Sequence, residues 1–301
     1  MSEQALPYID FATFLRRYFP EGKVQKITLT AGFSCPTRDG SRGKGGCTYC
    51  NNKSFSPNYA VKQKSITEQV NEGIEFFRKK YPEMRYLAYF QSYTNTYGDV
   101  AECIAKYEEA LRHPQVVGLI IGTRPDCMPQ PLLDYLSELA KRTFLLVEYG
   151  VESTYDETLD RIQRGHSWQC SVDTIRRTHE AGILVGAHLI LGLPGETREQ
   201  MLSHADRLSE LPITTLKIHQ LQIIRGTIMA GEYMRNPSIF HLFTEEEYIS
   251  LIVDFVDRLR PDIVLERFVS QSPSELLLAP RWGWKNHEFT AKIRKALLAK
   301  R

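Results

Sequence analysis

The chain has 301 residues, 42% hydrophobic and 25% charged, with a formal net charge of +2. That is enough chain to build a large apolar core without disulfide staples, so its six cysteines are expected to ligate, catalyse or simply be buried in a reducing, cytoplasmic setting. The near-neutral charge does not by itself point to nucleic acid. No run approaches the ~20 apolar residues of a membrane span, and the start lacks the basic-then-apolar pattern of a secretory leader.

In chain order, a helix is predicted at 10–18, ahead of six apolar, β-rich runs. These are 24–30 (VQKITLT), 85–91 (RYLAYFQ), 116–122 (VVGLIIG), 143–150 (TFLLVEYG), 183–192 (ILVGAHLILG) and 214–222 (TTLKIHQLQ). Helix-like stretches lie between them. Ser65 with Glu68, and Thr244 with Glu247, have the spacing of capping boxes, which satisfy the free amides of a helix start. Ile74, Phe77 and Tyr81 follow the first box at helical spacing, and Pro114, Pro129 and Pro212 mark element boundaries. Strands alternating with helices predict a parallel sheet with helices outside it. Six βα units are too few for a closed eight-stranded barrel, so the expected fold is a partial (β/α)6 barrel, open on one side, over residues 1–265. A helical, basic extension, 266–301, is expected to pack on or near it. The site should lie at the C-terminal ends of the strands. From Arg281 onward seven basic residues face a single acid, Glu288. Such a tail can meet phosphates or lie as a solvated helix, and its Trp282 and Trp284 can stack on bases or cover the barrel.

The first strand runs into GFSCPTRDGSRGKGGCTYCNN, where Cys35, Cys47 and Cys50 are spaced C-x11-C-x2-C. Two thiolates two residues apart can turn onto one metal centre, with a third joining from an adjacent loop. Glycines 40, 43, 45 and 46 let the backbone fold tightly there. No fourth cysteine is near: Cys103, Cys127 and Cys170 fall in three separate βα units and are expected to be ordinary buried residues, with Cys127 the best placed of them to face the site. Three ligands leave a metal position open for a small molecule. The alternative is a structural zinc site of three cysteines and a histidine.

With these residues in order, the chain resembles radical SAM enzymes, of the group that includes the elongator catalytic subunit and oxygen-independent coproporphyrinogen oxidase. The resemblance covers roughly residues 24 to 225 and is nearest to small bacterial relatives of the elongator subunit, which widen the usual C-x3-C-x2-C spacing. It implies a radical SAM barrel in which Cys35, Cys47 and Cys50 hold a 4Fe–4S cluster. An electron from that cluster cleaves S-adenosylmethionine (SAM) to a 5′-deoxyadenosyl radical. It further implies that Tyr49, inside the C-x2-C loop, packs beside SAM, and that Gln91 meets its methionine end. Glu152 in EYGVES and His188 in HLILGLPGE are implied as ribose contacts, and Arg164 in RGH as the partner of the SAM carboxylate. Gly122 stands before Thr-Arg-Pro-Asp where some relatives carry Glu.

The same resemblance implies a substrate: the side chain of wobble uridine in tRNA. Because the chain has no stretch for the elongator's acetyltransferase domain, remodelling of an existing substituent is expected rather than its construction from acetyl-CoA. An electron donor such as flavodoxin or ferredoxin is implied as a partner. Two rivals remain at the level of sequence. One is a radical SAM enzyme acting on a small molecule such as a tetrapyrrole. The other is an iron–sulfur or zinc protein that binds a partner and does no radical chemistry.

Overall fold

The computed structural model describes residues 6–78 and 83–300. Strand β1 (Ile9–Asp10) leads into helix α1 (Phe11–Leu15), which Asp10 caps by accepting from the Thr13 amide at 2.7 Å. Strands and helices then alternate: β2 (Val24–Leu29), α2 (Ile66–Arg78), β3 (Arg85–Phe90), α3 (Val100–Leu111), β4 (Val116–Thr123), α4 (Gln130–Ala140) and β5 (Phe144–Glu152). After β5 come α5 (Asp156–Arg161), α6 (Trp168–Glu180), β6 (Leu184–Leu191), α7 (Arg198–Ser209) and β7 (Thr215–Gln220). The remainder is β8 (Ile223–Ile224), α8 (Ile228–Arg235), α9 (Glu245–Arg258), β9 (Val264–Arg267), β10 (Leu277–Ala279) and α10 (Asn286–Lys300). Both expected capping boxes form: Ser65 and Glu68 exchange bonds of 2.8 and 3.1 Å, and Thr244 and Glu247 bonds of 2.8 and 3.2 Å. Thr197 and Gln200 form a third, at α7. Tyr81 lies outside the described residues.

Among the described residues eight strands form one sheet, all parallel, in the order β1-β9-β7-β6-β5-β4-β3-β2. The six predicted runs are β2 to β7, and the edges β1 and β2 are left unjoined, so the barrel is open. The two further strands, β9 and β1, are four and two residues long, too short to show a pattern of their own. The helix expected at 10–18 shrinks to α1: Asp10 pairs with β9 instead, and residues 16–18 form a turn. Strand β9 also runs across residue 265, where the barrel was expected to end, and carries Glu266 and Arg267 into the sheet.

Alternation sorts each strand's side chains between helices and barrel interior. On β5, Leu145, Val147, Tyr149 and Val151 join the main core under the helices, while Phe144 and Leu146 face inward. The interior begins with an apolar floor, where Phe14 and Leu15 of α1 pack on Leu87, Ile120, Leu146 and Val264. Fully burying side chains of this kind contributes about 1.5–3 kcal/mol each. The floor plugs the N-terminal ends of the strands, leaving the other end for the site.

The C-terminal tail is docked. Trp282 stacks on Phe289 with centroids 5.0 Å apart and donates to the Phe243 carbonyl at 3.1 Å. Phe289, Ile293 and Leu297 are buried in the main core. Three of the tail's seven basic residues are paired as well: Lys292 with Glu245, Arg294 with Asp10, and Lys300 with Asp254 and Asp257. Helix α10 of the extension closes the core with its apolar face. Arg301 lies outside the described residues. No helix of the described residues is long and apolar enough to cross a membrane. Phe289→Ala should therefore cost about 3–5 kcal/mol, read as a fall in the urea midpoint. Truncation after Ala279 should unfold the whole protein, and an unchanged midpoint in either variant would contradict the docking.

Candidate active site

A cavity of about 200 Å³ opens at the C-terminal ends of the strands, and all eight residues singled out in the sequence line it: Cys35, Cys47, Tyr49, Cys50, Gln91, Glu152, Arg164 and His188. They arrive from the loop after β2 and from the ends of β3, β5, α5 and β6.

The cysteine loop is set by its backbone. Arg38 and Asp39 amides bond to the Cys35 carbonyl at 2.9 and 3.2 Å, and the Cys50 amide bonds to the Cys47 carbonyl at 3.0 Å. Gly46, at φ +86°, bonds to the Thr37 carbonyl at 2.9 Å. A Cβ there would lie 2.8 Å from Arg38 Nε, so a side chain at 46 would displace the arginine that donates to the Cys50 carbonyl at 2.8 Å. Thr48 ties the loop to the end of α5 and to α8, through Ile162 at 3.0 Å and Met229 at 2.9 Å.

Donors surround the sulfurs. Thr94 Oγ1 donates to Cys35 Sγ at 3.0 Å, Arg164 Nη1 to Cys47 Sγ at 3.5 Å, and Arg124 Nη1 approaches the same sulfur at 4.0 Å. Arg124, buried, is held by Asp126 through contacts of 2.9 and 3.0 Å. Burial pushes the Cys35 thiol up and the Cys50 thiol up to about 11, so these sulfurs become thiolates only against a positive centre. The donor set fits an iron–sulfur group: three thiols on one cavity, with arginines and a hydroxyl placed to offset negative charge on sulfur. Cys103 is buried in the core. Cys127 faces a different groove, beside Asp126, Arg177 and the half-buried Cys170; the turn after β4 carries it away from the cavity that it was expected to favour. The zinc alternative needs a histidine gathered with three cysteines at single-ion spacing. No three His, Cys, Asp or Glu side chains gather so among the described residues.

Strand β5 presents its acid through a bulge. Gly150 pairs with His188 and Glu152 with Leu189, which leaves Val151 as the extra residue, and Glu152 takes φ +69°. A bulge next to a site re-aims a side chain, and the left-handed backbone at a non-glycine stores strain that its surroundings must hold. Here they do: Arg164 Nη2 lies 3.6 Å from Glu152 Oε1 and donates to the Gly150 carbonyl at 2.6 Å. A Cβ on Gly150 would collide with both the guanidinium and the carboxylate. Tyr49 lies close by; burial and the Glu152 carboxylate push its phenol well above the usual range, so it stays neutral. His166, two residues past Arg164, is pulled down to about 3 by burial and by that arginine.

Below the cavity lies a layer of charge that the sequence motifs did not single out. Glu148 Oε2 accepts from Lys217 at 2.6 Å and faces His188 Nε2 at 3.0 Å, while Lys26 reaches Glu148 at 3.3 Å and Glu266 at 2.6 Å. Lys217 also donates to the Tyr89 hydroxyl at 3.0 Å. Burial opposes ionisation of Glu148, but Lys217 and Lys26 outweigh it and hold the carboxyl well below its usual range. The signal for this layer was present: Glu148 is the single charge inside the largely apolar run 143–150, and Lys217 the single charge of the run 214–222. The ring of His188 stacks on His219, centroids 5.7 Å apart.

Comparison with known proteins agrees with this architecture. Residues 40–208 match the radical SAM superfamily and residues 213–299 the radical SAM C-terminal domain. The chain is 34% identical to the Bacillus subtilis protein YtqA, over 94% of this chain and 87% of that one. It is 29% identical to the tRNA uridine(34) acetyltransferase of Methanocaldococcus infernus, over 49% of this chain and 27% of that protein. Among solved structures, the Methanocaldococcus infernus Elp3 with an N-terminal deletion superposes with a TM-score of 0.69 at 19% identity, covering 93% of this chain and 63% of that one. The chain belongs to the radical SAM superfamily, whose enzymes use a 4Fe–4S cluster and SAM.

Proposed function

We propose that Cys35, Cys47 and Cys50 ligate the cluster, that Tyr49, Gln91, Glu152, Arg164 and His188 receive SAM, and that the substrate is a uridine at the wobble position of tRNA. The convergence of all eight side chains on one cavity supports the cofactor assignments. When bound, the cluster supplies the electron that cleaves the sulfonium bond of SAM, an electron drawn from a donor of the flavodoxin or ferredoxin class. The protein's own groups do the rest. Arg164 spends Nε and one Nη2 hydrogen on the Gly150 carbonyl and one Nη1 hydrogen on Cys47, which leaves one Nη1 hydrogen, and an Nη2 hydrogen shared with Glu152 at 3.6 Å, for a carboxylate. His188 commits Nε2 to Glu148 and keeps Nδ1 for a ribose hydroxyl. Glu152, aimed by its bulge, offers the second ribose contact. Arg124 and Thr94 stabilise charge at sulfur.

For the substrate, the observation that carries the reading is the likeness of about half the chain to a tRNA uridine(34) acetyltransferase. That match takes in 27% of the archaeal protein, so acetyl transfer does not carry over, and remodelling of a substituent already on the base is the reading we favour. Nucleoside mass spectrometry of tRNA from a deletion strain tests it: one modified uridine should be lost or replaced by its precursor. An unchanged profile would turn the choice to a small-molecule substrate.

Two further outcomes are expected of the purified protein. Cys47→Ala should lose the iron and sulfide of the reconstituted cluster while Cys103→Ala keeps both, and equal loss in the two would reassign the ligands. Arg164→Ala should weaken SAM binding by about 1.5–3 kcal/mol, roughly ten- to a hundredfold. Lysine at 164 should restore only part of this, because a point charge cannot reproduce a planar fork. Wild-type SAM affinity in a cluster-loaded Arg164→Ala protein would remove Arg164 from the site.

A further inference from the structure

Strand β9 repeats on the far side of the cavity what β5 does at Glu152. Leu216 pairs with Leu265 but Lys217 pairs with Arg267, which leaves Glu266 as the extra residue of a bulge. Strict alternation would send Val264 inward, Leu265 outward, Glu266 inward and Arg267 outward. The first three obey: Val264 packs in the floor, Leu265 in the outer core, and Glu266 reaches Lys26 and Lys217. The bulge breaks the sequence at the fourth. Arg267 lines the cavity instead, and Phe268 takes the outward place in the main core.

The guanidinium so placed has no acid of its own. Lys26 and Lys217 share Glu148 and Glu266, Arg124 is held by Asp126, and Arg164 faces Glu152. The Arg267 side chain makes no hydrogen bond or ion pair with any described residue, and the residue is half-buried. It also lines a second, larger groove of about 1320 Å³ between β2, α1 and β9, at the open edge of the barrel. The acids of that groove are engaged elsewhere: Glu72 by Lys64, Glu75 by Arg78, and Glu266 by the two lysines. Beside Arg267 in the cavity stands His219, whose Nε2 is out of reach of solvent and has no partner. Leaving a buried polar atom unpaired costs about 1–3 kcal/mol, a cost that a ligand oxygen would remove.

We propose that Arg267 and His219 form an oxyanion-recognition site for the substrate, reached from the open edge of the barrel and lining the same cavity as the cysteines. The group recognised is a phosphate or a carboxylate, because both present oxygens that match the arginine fork. His219 donates from a neutral ring: burial and the adjacent Arg267 hold its pKa well below the usual range. The inference goes beyond the uridine reading, since it holds for any substrate that carries such a group.

The test uses full-length, cluster-loaded protein with SAM bound, and three probes: uridine 5′-monophosphate, uridine and succinate. Wild type should bind one of the two anions more tightly than uridine. Arg267→Gln should weaken that anion about ten- to a hundredfold and leave uridine binding, SAM affinity and melting temperature where they were. Arg267→Lys, with the charge kept, should recover part of the loss. Preference for the monophosphate supports the site together with the nucleotide reading; preference for succinate supports the site and counts against that reading. The proposal is overturned if wild type binds neither anion at millimolar concentration, if Arg267→Gln binds it as wild type does, or if SAM affinity falls in step with it.

Discussion

Between the apolar floor of the half-barrel and its cavity, the Glu148 carboxylate takes Lys217 at 2.6 Å, Lys26 at 3.3 Å and the His188 ring at 3.0 Å. Those partners come from β7, β2 and β6, so one acid on the central strand joins both halves of an open sheet. The sheet cannot supply this closure by backbone pairing, because its edges β1 and β2 do not meet. Glu266 adds a second bridge from β9 to Lys26 on the opposite edge. Taking any one member of a buried charge network away leaves the others unpaired and costs about 3–5 kcal/mol. The lysines are further fixed by the Tyr89 ring, which has Lys217 at 4.4 Å and Lys26 at 5.1 Å from its centroid. Everything above this layer, including His188 and the ends of β5, β7 and β9, takes its position from it.

Two departures from regular strand geometry then turn a sheet into a site. A parallel strand buried on both faces delivers side chains by strict alternation, and alternation alone would give the cavity one residue in two. The bulges at Val151 and Glu266 each insert one residue. The first brings Glu152 to Arg164; the second brings Arg267 inward. The strained φ of Glu152 is held by the same arginine that touches Cys47.

Much of this was legible in the sequence, and the limits have physical causes. Four of the six runs that became β2 to β7 are apolar over most of their length, as expected for strands covered on both faces, and the C-x11-C-x2-C loop stands out by spacing. Strands β1 and β9 were not legible, because a two-residue and a four-residue strand have no periodicity to read. The bulges were invisible for a related reason: a one-residue slip in register exists only between two strands, so nothing in EYGVES or VLERF announces it. Arg267 fell beyond the expected end of the barrel on that account. Packing of the tail on the barrel was expected from the sequence, but the acids that take its charges were not, because a count of charges ignores pairing. Lys292 and Lys300 find their acids on α9, and Arg294 finds Asp10 next to α1, at sequence distances that no local pattern reports.

Arg164 makes the cysteine loop and the end of β5 one unit. Its main-chain carbonyl accepts from Arg124, its Nε and Nη2 hold the Gly150 carbonyl, its Nη1 reaches Cys47 Sγ, and its outer edge faces Glu152. Burial disfavours a charge here, but Cys47 and Glu152 lie near enough for the arginine to stay ionised. In a site so dry, each of these contacts is stronger than it would be in water. A thiolate at Cys47 and a carboxylate at Glu152 therefore draw on the same cation, and a change of charge at sulfur alters the hold on the acid across the cavity. The arrangement couples charge at the proposed cluster ligands to the position of the proposed ribose contact through a single side chain. It requires Gly150 to have no Cβ, since the guanidinium lies where that atom would stand.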